Sequence, residues 1–339
     1  MSDLAALNKS VYLSNAASDF IELNLIHLLA HGGNHLQIAR TRNASGRVID
    51  MIEKGAIAVG ATNDPAYTAL LQQLGEAWLG SLGIFSSFDT ILNAGGFLRV
   101  PKLRTRVAVV TLAATGYEVE EGHPKPISQL ALGLTELEHR KAIGIFILTN
   151  ELLLSMSPGS TDLINTELRR AVGVTTDDIF VNSLIDNTGA PSTGATGTDA
   201  AAFMSDLADA LALITYGSTS RLWLLTPPAL FRRLMLMRDG GPIMVNGTVG
   251  TSIKVVVSDA LTDTAILLDS SCVAVSATGD IIIDTTNHAS LEIDDAPTGT
   301  LLRSMFVENA TAIRATRHFA SQVLREDCLA LITGVSTTA

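Results

Sequence analysis

The sequence predicts a mixed α and β protein whose longest β elements rest on something other than their own core. Three observations predict it. Residues 104–149 read as two long β arms around an acidic, proline-pinned turn. A long stripe at helical spacing follows at once, over 160–186. Beyond a Gly/Ser/Thr/Pro stretch at 189–197, helices then alternate with short strands. An isolated two-stranded ribbon of that length is not stable in water. In a soluble protein the surface that covers it is often another subunit.

Composition sets the limits. The chain has 339 residues, enough for two domains or one elaborate one. Apolar residues make up 47% and aromatics only 5%, so the core must be built from Leu, Ile, Val and Ala. The net charge of −11, from 23 basic and 34 acidic residues, argues against a surface that neutralises nucleic-acid phosphates. Cys272 and Cys328 have neither CxxC nor zinc spacing and make no disulfide framework, which points to a reducing compartment. The start, Met1-Ser2-Asp3-Leu4, has no basic region before an apolar core, so no signal peptide is expected. The most apolar window, 143–154, is too short to span a bilayer and contains Glu151, so no membrane contact is expected.

Along the chain, residues 1–60 read as one helix and loose connections. Ser18 caps a helix over 19–30, Gly32-Gly33 ends it, and Asn43-Ala44-Ser45-Gly46 is a loop. A second helix starts at Asp64-Pro65 and carries Leu70, Leu71, Leu74, Trp78 and Leu79 on one stripe. The outgoing β arm covers 104–113 and the returning arm 130–149. Pro124 and Pro126 lack backbone donors and belong to the turn between them. In the long helix Ile164, Leu168, Val172, Ile179, Phe180 and Leu184 share a face, and Gly173 followed by Val174-Thr175-Thr176 predicts a bend. Thr198 caps a helix through 216, residues 221–225 form a strand, and Thr226-Pro227 opens a helix through 238. Asn246-Gly247 is a hairpin turn. Short strands are expected at 253–257, 265–268, 273–275, 281–283, 291–293, 305–316 and 329–332.

Several pieces fall in a familiar order. These are the turn Glu120-Glu121-Gly122-His123-Pro124-Lys125-Pro126-Ile127-Ser128, then Arg140-Lys141-Ala142-Ile143-Gly144-Ile145, then Thr149-Asn150-Glu151-Leu152-Leu153, then the long helix. Their order and spacing resemble tailed-phage major capsid proteins of the HK97-type fold, over roughly residues 75–335. The resemblance implies an α+β HK97-type capsid fold. Its parts would be an N-terminal arm and lead-in (1–103), an extended β-hairpin loop (104–149), a peripheral domain with the spine helix (150–197), an axial domain (198–285) and a return to the peripheral domain (286–339). It implies a non-enzymatic major capsid protein that self-assembles into pentamers and hexamers of an icosahedral shell around phage DNA. The place would be the virion after assembly in the host cytoplasm, with no cofactor. Portal, scaffold or decoration proteins are the further partners, and DNA is enclosed without sequence-specific binding. The acidic charge suits such a wall, and ordinary acidic solubility explains it equally well. The extended-loop tip, Glu118, Glu120, Glu121, His123 and Lys125, is the expected inter-subunit contact. An encapsulin-like nanocompartment shell, which shares the fold, is the first alternative. Lys125 is the sole lysine near the turn, but no asparagine or glutamate partner matches the cross-linking known in one phage of the family, so that chemistry is not carried over. Asp186-Asn187-Thr188-Gly189-Ala190-Pro191 only loosely replaces the family's Gly-rich signature after the spine helix.

Other constellations point to little chemistry. His27 and His31 stand at i and i+4, the spacing of a shared metal, with His35 beyond; a metal-dependent enzyme is therefore the second alternative. Leu28 stands where a zincin has its glutamate, and Gly32-Gly33 interrupts the register, so no metal is expected. Asp259, Asp263 and Asp269 each flank an apolar run and read as turn residues. No glycine loop leads into Gly-Lys-Ser/Thr, and no Gly-x-Ser-x-Gly elbow occurs. Arg169, Arg170, Arg232 and Arg233 read as helix surface.

Overall fold

A computed structural model of the chain describes residues 18, 19, 22, 23, 26, 34–57, 81–101, 106–112, 118, 131–151, 158–187, 189–217, 219–236, 244–245, 247–249, 252–295 and 299–335. The expected helix at 64–79 and the turn at 119–130 lie outside them. The chain forms two compact units. Unit 1 comprises 1–93, 141–177 and 279–318; unit 2 comprises 94–140, 178–278 and 319–339.

In unit 1, residues 18, 19, 22, 23 and 26 are helical, in the region where a helix was expected, but Ser18 lies within the helix rather than capping it. Where loose connections were expected there are two helices, α1 (His35–Thr41) and α2 (Gly46–Ile57). The Asn34 side chain accepts the Gln37 N–H at 3.2 Å and so caps α1. Only residues 42–45 remain a loop, with Asn43 at φ 52°. Leu23, Ile26, Ala39, Val48 and Met51 close a small core between these helices. A further helix, α3 (Ser87–Asn93), is capped twice. Ser86 Oγ accepts the Asp89 N–H at 3.2 Å, and the Asp177 carboxylate accepts the Ser87 hydroxyl at 2.5 Å and the Phe88 N–H at 3.1 Å.

Asp177 belongs to the long helix α4 (Pro158–Ile185), which runs as a single α-helix through Gly173. The glycine there serves packing: a Cβ at position 173 would lie 2.9 Å from Phe85 Cβ. Gly144 serves it likewise, since a Cβ would lie 3.3 Å from Ala171 Cβ. Gly144 stands in β4 (Arg140–Thr149). The returning arm is therefore two strands, β3 (Ala131–Glu136) and β4, separated at 137–139, where Leu137 is fully buried.

The segment expected as two strands near 273–283 is one long strand, β11 (Val273–Thr286), and the strand expected at 305–316 is β14 (Ala310–Val323). β14 stands between β11 and β4 in one sheet. Unit 1 also holds a ribbon of β12 (Ser290–Asp295) and β13 (Gly299–Ser304), paired from Ser290↔Ser304 to Asp295↔Gly299. β13 was not expected.

In unit 2, β1 (Leu98–Arg99) pairs parallel with the start of β11. The rest centres on a seven-stranded sheet of order β5-β15-β10-β6-β9-β8-β7. Its strands are β5 (Ser192–Gly194), β6 (Leu222–Thr226), β7 (Met244–Val245), β8 (Thr248–Val249), β9 (Ile253–Val257), β10 (Thr264–Asp269) and β15 (Leu329–Thr333). Gly247, at φ 76°, turns β7 into β8 as Asn246-Gly247 predicts. Helix α5 (Ala200–Leu213) is capped by Asp199 rather than Thr198, and α6 (Pro228–Leu236) starts after Pro227. Phe203, Leu207, Ala210, Leu230 and Leu234 of the helices pack on Leu224, Leu267, Ala330 and Ile332 of the sheet. The 189–197 stretch is held down by Asp206 of α5. Its carboxylate is 2% exposed and accepts the Thr196 N–H at 3.1 and 3.2 Å and its hydroxyl at 2.6 Å.

Candidate functional site

The surfaces that stand out are those a single chain leaves uncovered. In unit 2, β2 (Arg106–Leu112) and β3 form an antiparallel ribbon, from Arg106↔Glu136 to Leu112↔Ala131, with a register shift between Val110 and Leu112. Its base is anchored: Val107 packs on the cluster of Leu137, Ala274 and Ala320. Further out, Leu134 is 71% exposed. Among the described residues no third strand joins the ribbon, and a two-stranded ribbon is an edge on both sides. Of the expected contact residues, Glu118 is exposed; Glu120, Glu121, His123 and Lys125 lie outside the described residues.

Besides single exposed residues at Leu163 and Ile282, apolar side chains of unit 1 cluster in the open at two places among the described residues. Along β4, Ala142 and Gly144 are buried while Ile143, Ile145 and Ile147 face outward. The period-2 alternation thus gives this strand two apolar faces, one of them exposed. The second place is the turn after β13, where Phe306 and Val307 are exposed. That turn is firmly built. Asn309 (φ 47°) accepts the Asn150 backbone N–H at 2.9 Å and its side-chain amide at 2.7 Å, and Thr311 Oγ1 donates to Asn150 Oδ1 at 2.7 Å. Met305 and Ala310 beside it are buried. A fixed turn that holds two large apolar side chains in water is expected of a contact surface.

Unit 1 also contains a buried ionic anchor that sequence reasoning missed. Arg317 of β14 donates through both terminal nitrogens to Asp89 of α3, at 2.7 and 2.6 Å, and the two side chains are 1% and 2% exposed. The guanidinium also approaches Thr176 Oγ1 at 3.4 Å and stands over the Phe88 ring at 5.4 Å. This pair ties the strand to α3, while the neighbouring Asp177 ties α3 to α4. No local signal singled it out, because the same strand also carries Arg314 and His318.

Titratable groups of unit 2 serve structure in the same way. Burial pushes the Asp269 carboxyl up, but hydrogen bonds from Ser220, Ser271 and the Arg221 and Ser271 N–H groups outweigh it and hold the carboxyl below its ordinary value. Asp178 is held above its ordinary value, first by burial and then by the charge of Asp259. Cys272 and Cys328 lie together beside Arg325. Of the expected histidines, His35 opens α1; His27 and His31 lie outside the described residues. Among the described residues no three metal-ligating side chains gather, and no helix is long and apolar enough to cross a membrane.

Comparison with known proteins agrees with this picture. Residues 140–332 match the family model for phage capsid protein. The match covers more than half of the chain, and the chain belongs to that family. Among solved structures, one from Mycobacterium phage Cain superposes with a TM-score of 0.52 at 15% identity, covering 72% of this chain and 89% of that one. One from Gordonia phage Cozz gives 0.50 at 18% identity, with 71% and 85% covered. One from Mycobacterium phage Adephagia gives 0.50 at 15%, with 72% and 89% covered. No curated protein matches the sequence. The fold is the α+β HK97-type capsid fold, and the protein is a major capsid protein that forms a multimeric shell and resides in the virion. The encapsulin-like and metal-enzyme alternatives are not favoured.

Proposed function

We propose that this subunit assembles in the host cytoplasm as pentamers and hexamers that close an icosahedral shell around packaged DNA, and that it does so without enzymatic activity. The observation that carries the reading is the β2–β3 ribbon, anchored at its base and without a third strand among the described residues. A neighbour that covers it supplies what the chain lacks. Its tip, with Glu118, Glu120, Glu121, His123 and Lys125, is the proposed docking point. Portal, scaffold and decoration proteins are the further partners in this reading, and the acidic wall holds DNA without reading its sequence. Structurally, residues 1–103 serve as arm and lead-in and 104–149 as the extended loop. Residues 150–197 and 286–339 make the peripheral domain, and 198–285 the axial domain.

Deleting residues 119–127 and rejoining the arms tests the docking point. The variant is expected to keep its far-ultraviolet circular dichroism and to yield capsomers or aggregates without closed shells in electron micrographs. Normal shells from the deletion would refute the docking reading, and a parent protein that stays monomeric in light scattering under all assembly conditions would refute the shell reading itself.

A further inference from the structure

Cys272 and Cys328 are the only cysteines of the chain, and unit 2 brings them together from distant positions. Cys272 ends the short 3-10 turn Ser270–Cys272, and Cys328 ends the turn Glu326–Cys328. Two contacts register these turns on each other, and a third fixes Cys328 within its own turn. The Cys272 carbonyl accepts the Leu324 N–H at 3.0 Å, Arg325 Nη2 lies 3.4 Å from Cys272 Sγ, and the Cys328 thiol donates to the Arg325 carbonyl at 2.8 Å. Cys272 and Cys328 are also near enough to shift each other's ionisation. Cys272 is half-buried and Cys328 buried.

We propose that Cys272 and Cys328 form a thiol modification site, in which a low-molecular-weight disulfide converts the pair into an intrachain disulfide, with Cys272 the attacking sulfur and Cys328 the resolving one. The roles follow from the surroundings. Cys272 is the less buried residue of the two, and its sulfur faces the Arg325 cation. Its neighbour Cys328 does most to bring the Cys272 pKa down. Burial and the Asp269 carboxylate oppose this, Arg325 and Ser271 add to it, and the net result is down to about 6. Cys328 is pushed well above the ordinary thiol range by the same partner and by burial. The more acidic thiol of the pair is therefore that of Cys272, the less buried residue.

The chemistry balances in two steps. The Cys272 thiolate attacks one sulfur of the reagent disulfide; that S–S bond breaks, a thiolate leaves, and a mixed disulfide forms on Cys272. Cys328 then gives its proton to solvent and attacks Cys272 Sγ, expelling the second reagent thiolate. Two protein thiols are oxidised and one reagent disulfide is reduced to two thiols. The bridge closes the chain around the stretch 273–327, which includes the whole excursion 279–318 through unit 1. Closing a loop of that size restricts the unfolded chain and raises stability.

The test uses the full-length protein, assembled or not, since the inference does not rest on the shell reading. The probe is oxidised glutathione, with dithiothreitol as the reverse. The expected result is loss of two hydrogens per chain, a peptide linking residues 272 and 328, and a rise in melting temperature that dithiothreitol reverses. Cys328→Ser is expected to stop at one glutathione per chain on Cys272, and Cys272→Ser to leave Cys328 unmodified. A lasting glutathione adduct on the parent protein, chains linked to one another on a non-reducing gel, or no reaction would overturn the site. Equal reactivity of Cys328 in Cys272→Ser would overturn the roles. Peptide mapping of the parent alone decides whether the bridge forms, even if a variant fails to fold.

Discussion

Removing the guanidinium of Arg317 should be among the costliest single changes in unit 1. Arg317→Met keeps the length and apolar body of the side chain but leaves Asp89, 2% exposed, without the two bonds at 2.6 and 2.7 Å that balance its charge. Breaking one side of a buried ion pair costs about 3–5 kcal/mol, because the remaining charge stays desolvated. A cost near the middle of that range shifts the folding equilibrium by roughly a thousandfold. Asp89→Leu should cost a similar amount. The double variant Arg317→Met, Asp89→Leu removes both charges and fills the space with apolar atoms, so it should lose much less than the sum of the two. The assay is urea unfolding of the dissociated subunits, followed by circular dichroism, as a double-mutant cycle. The expected coupling is at least about 2 kcal/mol. A single-variant cost below about 1 kcal/mol, or additive singles, would refute the account of this pair as an anchor between β14 and α3.

Two further outcomes follow from the packing and from the acid groups. Gly173→Ala, which would stabilise an exposed helix, should instead cost about 1–3 kcal/mol, because the new methyl meets Phe85 Cβ at 2.9 Å; an unchanged or raised urea midpoint would show that Phe85 gives way freely. Asp269 ionises more readily in the folded protein than its ordinary value of 3.8, so its contribution is complete above that value and is lost as pH falls through the lower folded one. Acid titration of stability should therefore show a steeper loss in the parent than in Asp269→Asn, and identical slopes below about pH 4 would contradict the hydrogen-bond account.

What the sequence revealed was whatever is written locally. The β2–β3 ribbon, the long helix, and the Asn246-Gly247 turn follow from periodicity, caps and turn chemistry within a few residues. The misses have a common cause. Residues 137–139 end β3 and start β4, yet Leu137 is buried and apolar, so the pattern carries no gap there. β11 runs unbroken through Ala277-Thr278-Gly279-Asp280, where two strands were expected, as a neighbour of β14 in its sheet. Gly173 looked like a weak point of the spine helix; its missing side chain is what lets Phe85 approach. In each case a tertiary neighbour decided the conformation, and a neighbour is not visible in a window of residues.

The same division explains the contact surfaces. Phe306 and Val307 sit in a turn held by Asn150, more than a hundred residues away, and the Arg317–Asp89 pair joins residues 228 apart. No local pattern names either partner. Yet their arrangement carries an argument the sequence could not make. An Asn pair with Thr311 and a bidentate buried ion pair are specific, rigid contacts, and they lie in the unit whose β4 and turn expose Ile143, Ile145, Ile147, Phe306 and Val307. Apolar side chains held out on a rigid frame lose little entropy when a partner covers them.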